Sequence, residues 1–204
     1  MSVRDTSIDP RLLESARDEF MKHGFIKADL KTICDSAGVT TGAVYKRYKG
    51  KEELFQAVVK DTVDILNGFV AVRTDIDFAA MTDMEVRDTW KMNEAFMLDL
   101  FRTLWKIRGD FVLLLERSAG TCYENYGHEF ALRMTDAYMQ YYDEARQRGL
   151  AKADISKNEM HVLCTSFWTA IYEPFVHKMS WKNIEEHCRV MCRFFDWTGA
   201  FAMK

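Results

Sequence analysis

The sequence predicts an all-α fold, and three observations support that prediction. Only 2 prolines and 10 glycines interrupt 204 residues, while helix-favouring Leu, Met, Ala, Glu, Lys and Arg are abundant. Apolar residues recur at spacings of three and four over long stretches, which is the period of a helix with one buried face. No run of alternating β-branched residues, the usual pattern of a strand, is long enough to predict a sheet.

The first helix is predicted to start at Asp9, which acts as its N-cap, with Pro10 at the first helical position. Leu12, Ala16 and Phe20 follow at intervals of four and form its buried face. We expect Gly24 to end this helix in a left-handed turn.

A second, two-turn helix is predicted between Asp29, interpreted as its cap, and Gly38, which stops it. Its apolar positions follow the i, i+3, i+4, i+7 pattern and are Leu30, Ile33, Cys34 and Ala37.

A third helix is predicted from Thr41 to Tyr48, with Thr40 as its cap. Val44 and Tyr48 form its buried face. The two short helices and the tight glycine-containing corner between them form a helix-turn-helix, in which the second helix can enter the major groove of DNA.

A long amphipathic helix is predicted to start at Lys51, and Ser156 is expected to cap a later one. Breaks are expected at Gly109, Gly120 and Gly149. The remaining helices are predicted at about 83–108, 110–118, 121–149, 156–178 and 180–202.

Positive charge is concentrated beside the third helix. The chain has a net charge of −3, yet four of the six residues 46–51 are Lys or Arg and none is acidic. Such a patch suits an anionic partner, although a charged helix end that only contacts water gives the same pattern.

We therefore expect double-stranded DNA as the partner of this patch. Lys46 and Arg47 are predicted to contact base edges or phosphates, because their donors pair well with guanine. Tyr45, Lys49 and Lys51 are predicted to contact the phosphate backbone. The complete predicted DNA-binding set is Thr40, Thr41, Gly42, Ala43, Tyr45, Lys46, Arg47, Lys49 and Lys51.

Residues 12–55 resemble the N-terminal domain of the TetR family of bacterial transcriptional repressors. The resemblance rests on Phe20, the Gly-Phe at 24–25, Ile33, Ala-Gly-Val at 37–39, Thr40, Gly42, Val-Tyr at 44–45, Tyr48 and Lys-Glu-Glu-Leu at 51–54. It implies a helix-turn-helix domain over residues 1–54 and a helical ligand-binding and dimerisation domain over residues 55–204. It also implies a homodimer that binds a palindromic operator and releases it when a small molecule binds.

The resemblance further implies that the last two helices pair with those of a second subunit. Large apolar faces on both helices agree with this expectation. The predicted dimer interface is Met160, Cys164, Phe167, Trp168, Ile171, Cys188, Met191 and Phe195. The alternative is that these side chains pack within one chain.

The middle of the chain is rich in aromatic residues and methionine, which suits an apolar or aromatic effector of unknown identity. The predicted effector-binding residues are Trp90, Phe101, Trp105, Tyr123, Tyr126, His128, Tyr138 and Phe167. A stripe of this kind also forms an ordinary helical core.

Other functions have weaker sequence support. Cys188 and Cys192 lie four residues apart near His187, a spacing that permits a zinc or oxidant sensor, but buried cysteines are more often apolar fillers. Motifs of the common catalytic and nucleotide-binding sites are missing, so we expect neither an enzyme nor a bound cofactor or metal. We expect a cytoplasmic protein without a membrane partner. A non-catalytic adaptor that binds an acidic protein is the alternative to a regulator.

Overall fold

The structure, a computed structural model, describes residues 8–74 and 76–203. Every regular element within those residues is helical, as predicted. In chain order the elements are α1 (Ile8–Lys27), α2 (Leu30–Ala37), α3 (Thr41–Tyr45), α4 (Lys51–Thr74), a 3₁₀ helix (Phe78–Ala80), α5 (Asp83–Asp88), α6 (Glu94–Lys106), α7 (Arg108–Glu116), α8 (Tyr126–Gln147), α9 (Lys157–Val176), α10 (Trp181–Phe194) and α11 (Trp197–Ala200).

The described residues form two compact units. Unit 1 consists of the described part of Met1–Leu66 together with Ile107–Tyr126, and unit 2 consists of Asn67–Lys106 and the described part of Gly127–Lys204. The predicted domain boundary after residue 54 did not anticipate that Ile107–Tyr126 would group with the N-terminal helices. The functional division into residues 1–54 and 55–204 stays a prediction.

The core of unit 1 forms where the helical period predicted it. Leu12, Ala16 and Phe20 of α1 have no exposed surface. The Phe20 ring lies 5.1 Å from the ring of Phe55 on α4, and the Phe25 ring lies 5.6 Å from that same ring, both edge-on. Edge-to-face packing of this kind stabilises a core beyond simple burial, so α1 and α4 are joined by an aromatic contact.

Two contacts fix Ile107–Tyr126 within unit 1. Arg17 on α1 donates both guanidinium hydrogen bonds to the carboxylate of Asp110 on α7. The backbone N–H of Phe25 donates to the carbonyl oxygen of Arg117 at 3.0 Å. A bidentate arginine pair sets orientation as well as distance, so α7 has a defined position against α1.

An aromatic cluster forms the core of unit 2. The Trp90 ring lies 4.6 Å from Phe201, 5.7 Å from Tyr138 and 6.3 Å from Trp197. Phe167 contacts the same cluster at 5.6 Å from Trp197. The short helix α11 and the residue that follows it therefore contribute two rings, spaced four residues apart, to the interior.

Helices α9 and α10 lie side by side in unit 2. His187 Nε2 on α10 lies 2.7 Å from the carbonyl oxygen of Ala170 on α9, and the Phe167 and Phe195 rings are 5.0 Å apart. Helix α10 therefore contacts α9 through His187, while Cys188 on α10 lies 3.9 Å from the carbonyl oxygen of Glu94 on α6.

Several predicted helix boundaries are wrong. The helix expected over 83–108 is broken because the Asn93 side chain accepts a hydrogen bond from Phe96 N at 3.0 Å and starts α6 there. Gly109, expected as a break, lies inside α7. The helix expected over 180–202 ends at Phe194, since Asp196 caps α11 by accepting from Gly199 N at 2.9 Å.

Other boundaries are confirmed. Gly149, with a left-handed φ of 70°, follows the end of α8 as expected, and Gly120, with a φ of 85°, lies between α7 and α8. Ser156 starts α9 through a capping box in which its hydroxyl accepts from Glu159 N and Glu159 accepts from Ser156 N.

Candidate nucleic-acid interface

Local interactions within α2 and the following turn position the third helix. Asp29 caps α2 by accepting a hydrogen bond from Thr32 N at 3.0 Å, which confirms its interpretation as a cap. Gly38 has a φ of 68°, the left-handed conformation that glycine adopts without strain. Thr40 Oγ1 then accepts from Ala43 N at 3.2 Å and caps α3. The predicted helix-turn-helix is therefore present.

Helix α3 is shorter than predicted. It ends at Tyr45 rather than Tyr48. Arg47 N and Tyr48 N both donate to the carbonyl oxygen of Val44, at 2.8 and 2.9 Å. Two donors that share one acceptor tighten the last turn of a helix and end it. The Val44 side chain has no exposed surface and anchors α3 to the core.

The outer side of α3 forms an exposed surface with positive charge. Its exposed residues, which we call the α3 surface, are Thr40, Thr41, Gly42, Tyr45, Lys46 and Lys49. Tyr45 is 60% exposed, which is high for an aromatic residue. Ala43 is half-buried. Since residues 40–51 contain no carboxylate, no acidic side chain within this segment neutralises the two lysines.

Arg47 does not lie where the sequence predicted it. It was predicted to contact base edges or phosphates, yet its side chain is only 9% exposed. Its Nε donates to Asp9 Oδ1 at 2.6 Å, and its Nη1 donates to the carbonyl oxygen of Ala43 at 3.2 Å. The charge on Asp9, 38 residues earlier in the chain, draws the guanidinium towards α1.

Lys51 also contacts its own chain. Its Nζ donates to the carbonyl oxygens of Ile26 and Ala28 at 3.1 and 2.9 Å, and it lies 4.7 Å from the centroid of the Phe25 ring. The ammonium thereby meets carbonyl groups at the end of α1 that the helix itself leaves unsatisfied. The predicted phosphate contact would require it to leave these partners.

The eight predicted effector residues belong to both units and fall into several groups. Tyr123 and Tyr126 lie in unit 1, 5.9 Å apart. Those in unit 2 fall into three groups. Trp90, Tyr138 and Phe167 belong to the aromatic cluster; Phe101 and Trp105 pack on Phe175 at 6.1 and 6.4 Å; His128 lies 5.5 Å from His161.

Sequence reasoning missed three residues of this region: Trp197, Phe201 and Arg73. The i, i+4 spacing of Trp197 and Phe201 was a usable signal for the two rings, but both were placed in one long helix. Arg73 lies 5.2 Å from the centroid of the Tyr138 ring. Its position depends on a contact over 65 residues of sequence, and no local pattern encodes such a contact.

Most of the predicted dimer interface lies in the core of the single chain. Seven of the eight residues are at most 4% exposed: Met160, Cys164, Phe167, Trp168, Ile171, Cys188 and Met191. Phe195 is half-buried. A side chain that the chain already covers adds almost no buried area to a dimer. Packing within one chain, the alternative interpretation of these faces, therefore accounts for their apolar character.

The cysteines of α10 are poorly suited to metal binding or oxidation. Burial raises the pKa of Cys188 to about 12 and also raises the pKa of Cys192. The thiolate is the reactive and metal-binding form, so both side chains stay as thiols near neutral pH. Within residues 8–74 and 76–203, no three His, Cys, Asp or Glu side chains are arranged to hold a metal ion.

None of the helices in the described part of the chain is both long and apolar enough to cross a membrane.

Residues 12–58, which contain α2, α3 and the start of α4, match the family described as "Bacterial regulatory proteins, tetR family". The HTH-type transcriptional regulator SrpR of Pseudomonas putida is 24% identical over 148 residues, which are 72% of this chain and 63% of SrpR. The HTH-type transcriptional regulator UidR of Escherichia coli K12 is 39% identical over 49 residues, which are 24% of this chain and 25% of UidR. The chain thus spans less than two thirds of either relative.

A solved structure extends the likeness of fold to nearly the whole chain. The structure of SmeT in complex with triclosan has a TM-score of 0.63 and 19% sequence identity, and it covers 98% of this chain and 93% of SmeT. At this identity the similarity concerns the fold. The similarity to the tetR family of bacterial regulatory proteins therefore covers the helix-turn-helix region, residues 12–58, and the similarity to SmeT covers the fold.

Proposed function

We propose that this chain is a ligand-responsive transcriptional repressor, without catalytic activity, that binds a palindromic DNA operator as a homodimer. The α3 surface carries the proposal, because a capped, core-anchored helix presents two lysines and an exposed tyrosine with no carboxylate in the same segment. Major-groove binding requires such a helix. The match of residues 12–58 to the tetR family of bacterial regulatory proteins supports the same function.

Within this surface, Lys46 is the residue that reads base edges. It lies at the end of α3, is exposed, and its ammonium can donate to guanine O6 and N7. Tyr45 and Lys49 contact phosphates on either side, and Gly42 and Ala43 let the helix backbone approach the groove. Arg47 does not contact DNA; its hydrogen bond to Asp9 holds α3 in position.

Selection of duplex DNA from random sequence by the full-length chain tests this function. A regulator enriches a two-fold symmetric site whose half-sites lie about 34–36 Å apart or a multiple of that distance. The Lys46→Ala variant should lose preference at defined positions of that site. Enrichment of no sequence would overturn the proposal and favour the adaptor that binds an acidic protein.

We place the dimer contact on the outer face of α9 and α10. Exposed apolar residues there are Val162 at 64%, Val190 at 63% and Phe194 at 78%. The small polar residues Thr165 and Ser166 of α9 are also exposed. Exposed apolar side chains on adjacent helices are typical of an interaction surface, since a second copy removes them from water.

Release of DNA requires an effector that prefers a conformation with misplaced recognition helices. A preference of about 1–3 kcal/mol gives about a 5- to 150-fold change in DNA affinity. Helix α4, Lys51–Thr74, contributes residues to both units and is the proposed lever. Distance measurements between labels on the two α3 helices test this: a ligand that displaces DNA without changing their spacing would contradict the lever.

A further inference from the structure

Unit 2 contains buried hydrogen-bond donors that have no acceptor. The indole Nε1 of Trp90 is buried and has no hydrogen-bond partner among the described residues, and the Trp90 side chain as a whole is 3% exposed. Three residues earlier, Nε of Arg87 is also buried and has no hydrogen-bond partner among the described residues. A buried donor without a partner is destabilising, so two of them within one turn of chain require an explanation.

Arg73 adds a positive charge to the same region. Its guanidinium carbon lies 5.2 Å from the centroid of the Tyr138 ring, which in turn lies 5.7 Å from the Trp90 ring. Burial raises the pKa of Tyr138 and of Tyr141, and the nearby charge of Arg73 opposes that rise. Arg73 is half-buried and therefore reachable from solvent.

Arg148 of the same unit shows how this chain satisfies a largely buried arginine. Its guanidinium donates to Glu144 and Asp83 and to the carbonyl oxygens of Phe78 and Met81, at 2.6–3.1 Å. Arg73, in contrast, forms no ion pair with any described carboxylate, and its guanidinium lies against the Tyr138 ring. Contact with an aromatic ring offsets part of the free energy that a cation loses on desolvation. An anion paired with the guanidinium would offset more of it.

We propose that these groups form an anion-binding site for a small organic carboxylate with an aromatic body, a proposal that rests on the proposed function because this ligand would be its effector. The carboxylate oxygens accept hydrogen bonds from Arg73 and from the unmet N–H groups of Arg87 and Trp90. A carboxylate suits this donor set because each oxygen accepts several bonds and it pairs well with guanidinium. The aromatic body contacts the rings around Trp90 and Tyr138.

Calorimetric titration of the full-length chain with matched acid and amide pairs tests the site. The pairs are benzoate with benzamide and indole-3-acetate with indole-3-acetamide, which share shape and differ in charge. At least one acid should bind about tenfold or more tightly than its amide, as expected for a charge-assisted hydrogen bond. Equal binding of acid and amide, or no binding of either acid at millimolar concentration, would overturn the proposal.

Three variants locate the binding. R73Q removes the charge and should abolish the preference for the acid, whereas W90F keeps a ring, removes the N–H and should weaken acid binding by about fivefold or more. R102Q is the control, because Arg102 lies on α6 with its side chain 53% exposed and paired to Asp99. An acid preference that survives R73Q unchanged would contradict the assignment.

Thermal unfolding without ligand separates a binding role from a structural one. R73L should leave the unfolding midpoint unchanged or raise it, because it removes a cation that lacks an anion. R148L should lower the midpoint, because it leaves several acceptors without their donor. If both variants lowered the unfolding midpoint equally, Arg73 would have a structural role and the proposal would be wrong. Both experiments use the protein without DNA, so their outcome does not depend on the result of the DNA selection.

Discussion

At the scale of single residues, Arg47, which follows α3, forms an ion pair with its own chain. The Arg47 side chain is 9% exposed and pairs with Asp9. We expect D9N and R47A to weaken binding to all DNA sequences by similar factors and to lower the free energy of unfolding by about 1–3 kcal/mol.

Affinities for the operator and for a set of single-base variants of it check this prediction. If R47A instead relaxed preference at one base position, as K46A is expected to do, Arg47 would be a base-reading residue. Urea unfolding of both variants gives the stability change.

Lys49 and Lys51 are close in sequence and differ in environment. Lys49 is exposed, whereas the Lys51 ammonium donates to two carbonyl groups. K49A should reduce the salt dependence of DNA binding by about one unit of slope, as loss of one phosphate contact does. K51M should lower the free energy of unfolding by about 1–2 kcal/mol and leave the slope unchanged. DNA affinity measured over a series of salt concentrations tests these roles. A reduced slope in K51M and an unchanged slope in K49A would make Lys51, not Lys49, the phosphate contact.

At the scale of elements, helix caps make stability depend on acid pH. Hydrogen bonds from the backbone N–H of Thr82 and of Ser156 lower the pKa of Glu85 and Glu159 below the ordinary glutamate value. Because these carboxylates are more acidic when folded, their contribution is complete above the unfolded pKa and is lost as pH falls through the folded one.

We therefore expect the free energy of unfolding to fall as the pH drops below about 4.5, the ordinary glutamate pKa, and E159Q to reduce part of that fall. Urea unfolding across this range is the measurement. E186Q on α10, at an exposed position outside the first turn of its helix, is the matched control. An identical pH dependence for wild type and E159Q would mean that the α9 capping box does not contribute to it.

At the scale of the whole molecule, the outer face of α9 and α10 should set the oligomeric state. V162E and F194E place charges on this exposed apolar face and should each raise the dimer dissociation constant by about tenfold or more. Sedimentation at several concentrations measures this. V72E on α4 is the control, because Val72 is 77% exposed. Unchanged dimerisation in V162E and F194E would move the interface elsewhere.

The sequence alone determined the features that depend on neighbours within one or two turns. The buried stripe of α1, the caps at Asp29, Thr40 and Ser156, and the glycine at position 38 are all local, and all were predictable. The α3 surface follows from them, since the burial of Val44 fixes which side of α3 faces outwards.

Only the tertiary structure decided which partner each long side chain takes. Arg47 meets Asp9, 38 residues away, and Lys51 meets Ala28, 23 residues away. From the sequence, the apolar faces of α9 and α10 are consistent both with a dimer interface and with packing inside one chain. The contact of Phe167 with Trp197 shows that Phe167 packs inside the chain. Periodicity states that a side chain is buried, but the atoms that cover it are set by the arrangement of helices in space.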